Sequence, residues 1–320
     1  MNLIDMHCDT IFLMEREEMC DLRRNSLCVD LEKMKHAGSM AQFFACFIYM
    51  KALEKAGGWD GGYQQALKMI ERGKRELVNN SDLISLATNY NDLLKNFERG
   101  KMSAFLTIEE GGILADDMAR LEYLYKCGIR LMTLLWNGEN CIGYPNSRDR
   151  NVMEKGLKKF GIETVERMND LGMMVDVSHL SDGGFWDVMK YSKKPVVASH
   201  SNARALCEHP RNLTDDMIRA LAECGGVSGI NFYPAFLNGT AKSDIDDLVR
   251  HIEHMYYVGG EDFVAMGTDF DGFDDSVSAI GNIGEMPLLY DALKKRKFND
   301  SQIEKFWNKN ALRVIKEVLK

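Results

Sequence analysis

No stretch of the chain approaches eighteen uninterrupted apolar residues, the length a helix needs to cross a bilayer, so no membrane span is expected. The opening run Met1-Asn2-Leu3-Ile4-Asp5 lacks a basic segment followed by an apolar one, and the protein therefore reads as cytoplasmic. Acidic residues outnumber basic ones, 48 to 40. The net charge is −8 and no lysine and arginine stripe is present to neutralise phosphates, which argues against nucleic acid as a partner. The short run Lys294-Lys295-Arg296-Lys297 reads as a solvated helix end. The cysteines, at positions 8, 20, 28, 46, 127, 141, 207 and 224, form no CxxC pair and scatter through apolar and helical surroundings, against a disulfide framework. No internal repeat or low-complexity tract is present.

What is there suits one large core. Hydrophobic residues make up 45% and charged residues 28% of 320, a balance that leaves little reason for disorder. Barrels of alternating strands and helices routinely exceed about 250 residues as one unit, so residues 1–320 are read as a single domain. Short apolar runs of β type fall at Leu3 to Met6, Gln42 to Ile48, Ser103 to Ile108, Arg130 to Leu135, Met173 to Val177, Pro195 to Ala198, Gly226 to Ile230 and Phe263 to Met266. Amphipathic stretches between them, at Tyr63 to Val78, Met118 to Lys126, Leu157 to Leu171, Asp215 to Glu223 and Ser243 to Tyr257, show apolar positions at three- and four-residue spacing. Eight strands with intervening helices predict an α/β fold, a closed (β/α)8 barrel of TIM type, although a doubly wound open sheet has the same alternation. Helix ends are marked by Thr214-Asp215-Asp216, by Ser243-Asp244 and by Gly172. The long loop from Trp136 to Gly156 follows a strand, where a barrel places residues that touch substrate.

The polar residues at the strand ends favour the barrel. His7 and Asp9 alternate at the end of the first strand, so a period of two sends both to one side, where they can grip a metal ion. Glu109 and Glu110 meet the turn Gly111-Gly112 where the third strand ends; adjacent residues of an extended segment face opposite ways, so one of the pair is a candidate ligand and the other a loop carboxylate. His179 and His200 end two consecutive strands, each delivering an imidazole at the same rim. His251 and His254 are read as surface residues of a helix. Asp269 follows the last strand and is the better proton-handling candidate, because Asp271-Gly272 favours a turn. Together these residues form a mixed nitrogen and oxygen set suited to zinc or a similar divalent ion, and their number exceeds what one tetrahedral zinc requires.

The motifs Asp5-Met6-His7-Cys8-Asp9, Glu110-Gly111-Gly112, Asp176-Val177-Ser178-His179, Ser199-His200-Ser201, Arg211-Asn212, Asn231-Phe232-Tyr233 and Gly267-Thr268-Asp269-Phe270-Asp271-Gly272 resemble, in order and over nearly the whole chain, the renal or membrane dipeptidase family. These are two-zinc peptidases of the amidohydrolase superfamily. The resemblance implies a zinc-dependent dipeptidase with one ion on His7 and Asp9, a second on His179 and His200, and Glu110 rather than Glu109 bridging them. It implies a bridging hydroxide as nucleophile and Asp269 as the group that handles protons and holds the substrate amine. Arg211, supported by Tyr233, is expected on the terminal carboxylate, which a planar guanidinium can fork. The family commonly accepts a D-residue at the second position, and a homodimer is expected. One departure stands out: where the mammalian pattern has an oxyanion-stabilising histidine after the fourth strand, this chain has Trp136, which leaves zinc, Asn137 or Asn140 for that task. Two alternatives remain. Another metal-dependent amidohydrolase is disfavoured by HxD in place of HxH; a catalytically silent barrel that only binds is disfavoured by the intact ligand set.

Overall fold

The alternation of apolar runs and amphipathic helices resolves into nine parallel strands, β1 Leu3–Cys8, β2 Ser39–Phe47, β3 Ile84–Leu86, β4 Met102–Glu109, β5 Ile129–Thr133, β6 Met174–Asp176, β7 Val197–Ala198, β8 Val227–Ile230 and β9 Val264–Met266. The computed structural model describes residues 2–16 and 20–320. Eight of the strands close a TIM-type barrel: β2 pairs with both β1 and β4, the order continues through β5 to β9, and β9 returns to β1 with Met266 opposite Asp5. Every strand expected from the sequence is a stave of it. The ninth, β3, went unread because it is only three residues long; it lies beside Met102 to Ala104 of β4, ahead of Leu106, where the pairing with β5 begins.

Parallel staves covered by helices are buried on both faces, and β2 and β4 are buried along their whole lengths. The barrel interior is one apolar cluster with a residue from every stave, among them Met6, Phe43, Phe105, Leu131, Val197 and Ala265. The Phe43 and Phe105 rings stack at 4.6 Å. The helix Asn310–Val318 joins this cluster through Val314, Ile315 and Val318, and Asn310 donates to the Val264 carbonyl at the start of β9, so this helix closes the amino-terminal floor of the barrel.

Helices cover the outside. Gly58–Asn79, Met118–Lys126, Lys159–Leu171, Asp215–Glu223 and Ile245–Gly259 occupy the stretches where periodicity predicted helices. Their ends use the capping groups visible in the sequence: the Thr214 hydroxyl accepts from Met217 N, Asp244 and Asp247 form a reciprocal capping box, and Gly172 takes φ 76°. The seam between the first and last staves is closed by a side chain. The buried Asp5 carboxylate accepts from Thr268 N (2.8 Å), Thr268 Oγ1 (2.7 Å) and Gln42 Nε2 (2.9 Å).

Candidate active site

At the carboxyl ends of the staves the backbone is forced into unusual conformations. Among the described residues, seven non-glycine positions have positive φ, and four of them, Glu110, His179, Asp269 and Asp271, sit on this rim. Such conformations cost free energy and persist where the surrounding structure holds them, commonly at functional sites.

His7 near the end of β1, Glu109 at the end of β4, His179 past β6 and His200 past β7 converge. Glu109 Oε1 lies 3.0 Å from His179 Nε2 and 3.7 Å from His200 Nε2, while Oε2 lies 3.3 Å from His7 Nε2. Asp9 and Asp269 complete the ring, at 3.8 and 3.7 Å from His7 Nε2. The cluster thus contains His7, Asp9, His179, His200 and Asp269, as the sequence pattern expects, but the shared carboxylate is Glu109. The assignment to Glu110 is corrected. With φ 103° that residue turns its buried carboxylate the other way, where it accepts from Asn140 Nδ2 (2.6 Å), Gly112 N (2.9 Å) and Trp136 N (3.3 Å). Asn140 is likewise taken, since its amide also donates to Leu134 O and accepts from Ile142 N, which leaves it no role toward an oxyanion. Asp271 accepts from Thr10 Oγ1 and Cys28 N, a structural arrangement.

The histidine tautomers follow from their partners. Asp176 accepts from Thr133 Oγ1, Ser178 N, Ser199 N and Ser199 Oγ, so the single Ser199 hydroxyl proton is committed to Asp176 at 2.6 Å. His200 Nδ1, 2.7 Å from that hydroxyl oxygen, must then be the donor, and its Nε2 is a bare lone pair. His179 Nδ1 meets Asn137 Oδ1 at 3.2 Å, which leaves its Nε2 bare too. The two lone pairs face each other at 3.1 Å beside a carboxylate, an arrangement that a cation satisfies. Both ring nitrogens of His7 and Oδ1 of Asp9 are also buried without a hydrogen-bond partner among the described residues. The donor set therefore fits divalent metal.

The electrostatics agree. Burial pushes Glu109 up to about 7 and Asp269 up to about 6, against the pull of His7. Burial also opposes charge on His7, but Glu109 and Asp9 outweigh it and hold the imidazole well above the ordinary histidine value. His179 and His200 are held well below it, by burial first and then by the nearby cations Arg211 and His7. Crowded carboxylates that retain protons are what a cation displaces.

A cavity of about 420 Å³ opens on this cluster, lined by Asp9, Glu109, Trp136, His179, Tyr233 and Asp269, with Asn137 also on its wall. Asp269 is steadied by Asn231 Nδ2 at 2.8 Å. Arg211 is buried, donates from Nη1 to Ser201 Oγ and from Nη2 to the His200 carbonyl, and keeps Nε without a partner among the described residues. Asn231, Asp176 and Ser199 were not singled out as functional from the sequence, although each lies in a motif that was.

A parallel barrel with imidazoles and carboxylates gathered at the carboxyl ends of its strands defines a metal-dependent hydrolase of amidohydrolase type. The crystal structure of the dipeptidase AC, a metallopeptidase of family M19, superposes with a TM-score of 0.92 at 25% identity, over 100% of this chain and 99% of that one. A Rhodobacter sphaeroides metallopeptidase liganded with a phosphinate mimic of L-Ala-D-Ala superposes at 0.90 with 23% identity, over 99% of each chain. In sequence, an uncharacterised dipeptidase of Schizosaccharomyces pombe is 32% identical over 297 residues, 90% of this chain and 71% of its own length. The profile of the membrane dipeptidase family, peptidase family M19, matches residues 1–320, and the chain belongs to that family. It is a metallo-dipeptidase. Among the described residues no helix is long and apolar enough to cross a membrane.

Proposed function

We propose that the protein hydrolyses dipeptides with two zinc ions, one held by His7 and Asp9, the other by His179 and His200, with Glu109 shared between them. The observation that carries this reading is the pair of bare imidazole nitrogens converging with Glu109 on His7, whose ring nitrogens meet carboxylates but make no hydrogen bond among the described residues. When bound, such ions supply a Lewis acid for the scissile carbonyl and acidify water near neutral pH. The chain's own groups do the rest. Asp269, held by Asn231 on the cavity wall, takes and returns the proton and holds the substrate ammonium group. Arg211, with Nε unspent, meets the terminal carboxylate, and Tyr233 closes the same side. Recognition of both charged ends restricts turnover to dipeptides. Trp136 and Asn137 form the wall beside His179; neither side chain carries the positive charge of an imidazolium, so stabilisation of an oxyanion is a task the bound ions would supply. Tolerance of a D-residue at the second position is part of the proposal, in keeping with the L-Ala-D-Ala mimic held by the Rhodobacter sphaeroides protein. A two-fold dimer, the commonest closed assembly, completes it.

The test is turnover of a panel of L,L- and L,D-dipeptides with tripeptide controls by zinc-loaded wild type, Glu109→Gln and Asp269→Asn. Dipeptide-only hydrolysis is expected, with kcat/KM lower by about 10³-fold or more in each variant, a loss of about 4 kcal/mol in transition-state stabilisation. Glu109→Gln is also expected to bind less zinc, whereas Asp269→Asn keeps it. Full zinc occupancy without turnover of any dipeptide would overturn the reading.

A further inference from the structure

Glu110 combines two unfavourable features: a non-glycine residue at φ 103°, and a carboxylate buried away from water. Neither serves the metal cluster, from which the side chain is turned away. Both are offset by what the carboxylate holds. Its Oε1 accepts from Asn140 Nδ2 at 2.6 Å, and Oε2 accepts from the backbone N–H of Trp136 at 3.3 Å. Asn140 in turn ties Leu134 O, Ile142 N and Gly143 N, so the Glu110 carboxylate joins the two ends of the segment 134–143, which Asp176 and Lys158 hold further along. Residues 137–139 at its tip are exposed, while Asn140 is buried. The ring of Trp136 packs on Phe47 and Tyr49, and Asn137 Oδ1 reaches His179 Nδ1.

Trp136 is also a partition. On one side is the cavity over the metal donors; on the other is a second cavity of about 590 Å³, bounded by Tyr49, Trp59, Glu110, Trp136 and Asn137. The indole faces a cavity on each side, and its own backbone N–H donates to Glu110. We propose that Glu110 is a positioning residue: by clamping Trp136 N and Asn140 it sets the Trp136–Asn137 wall against His179, and so governs how tightly a dipeptide is held without itself binding an ion. The proposal rests on the reading that this cavity takes dipeptides.

The experiment compares zinc-loaded wild type, Glu110→Gln, Glu110→Gly, Asn140→Ala and the double variant Glu110→Gln with Asn140→Ala. Zinc content, kcat, KM and acrylamide quenching of tryptophan emission are measured, with Trp136→Phe marking the contribution of that indole. Zinc content is expected to stay at the wild-type value. KM is expected to rise by roughly 10- to 100-fold with kcat changed far less, and Trp136 is expected to become more quenchable. Asn140→Ala should reproduce both effects, and the double variant should add little to either single one, since all three break one hub. Glu110→Gly relieves the backbone, so it reports on the lost clamp even where Glu110→Gln disturbs folding. Loss of zinc, additive effects, or unchanged KM and quenching would each overturn the proposal. If wild type turns over no dipeptide, the functional reading fails, while zinc content and Trp136 quenching still decide whether Glu110 clamps the wall.

Discussion

His251 was expected on the surface of its helix and is instead buried, with Nδ1 accepting from Ala203 N at 3.1 Å and Nε2 donating to Leu237 O at 2.8 Å. It thereby joins the loop that carries Arg211 to the turn that follows Tyr233. Burial holds it down at about 4, whereas the unfolded chain titrates near 6.5. The unfolded state therefore binds the extra proton between these values. The stability contributed by neutral His251 is complete above about pH 6.5, drains as the pH falls and is lost by about pH 4, an amount of about 3 kcal/mol. Urea unfolding of chelator-treated protein should show that steepening, and His251→Gln, which cannot take a proton, should lack this share of it. A pH dependence equal in the two proteins would contradict the assignment. The signal for burial was present in the sequence, because His251 falls on the same stripe as Leu248, Ile252 and Met255, all buried. The choice between Glu109 and Glu110 was less legible. It needs the parity of β4, and a stave buried on both faces shows no alternation from which to count; only the Phe105 ring inside the barrel supplies the anchor.

At the scale of elements, the staves that deliver His179 and His200 are very short. β6 and β7 have three and two residues, and side chains do what longer ladders do elsewhere, with Asp176 accepting from the backbone of both Ser178 and Ser199. The histidines at their ends could be read from DVSH and ASHS because polar residues interrupt apolar runs. The partners could not, since sequence shows that Ser199 is polar and not that it stands between Asp176 and His200. Outer hydrogen bonds of this kind fix a ligand's tautomer and basicity, and their loss costs about 10- to 100-fold in metal affinity. Ser199→Ala should therefore weaken zinc binding by that factor in a competition titration against a chromophoric chelator, with the circular dichroism of the fold retained. An unchanged affinity would mean that His200 is held by its surroundings alone.

At the scale of the molecule, eight staves and five of the covering helices were legible because apolar runs and capping residues are local signals. Closure is not local. The join between β1 and β9 rests on the Asp5 carboxylate and Thr268, 263 residues apart in the chain. Asp5→Asn keeps one acceptor for Thr268 N but sets an NH2 group where Thr268 Oγ1 and Gln42 Nε2 donate, and should lower unfolding stability by roughly 3 kcal/mol, read from the denaturant midpoint.

The same seam divides the site. His7 and Asp269 flank it, so the two sides of the rim come from opposite ends of the polypeptide and do not exist as a pair until the cylinder shuts. Joining segments so far apart in the chain carries a loop-closure cost that only the closed cylinder's contacts offset. A chain with a gap between its first and last staves would hold His7 and Asp269 apart, and with them the two halves of the cluster.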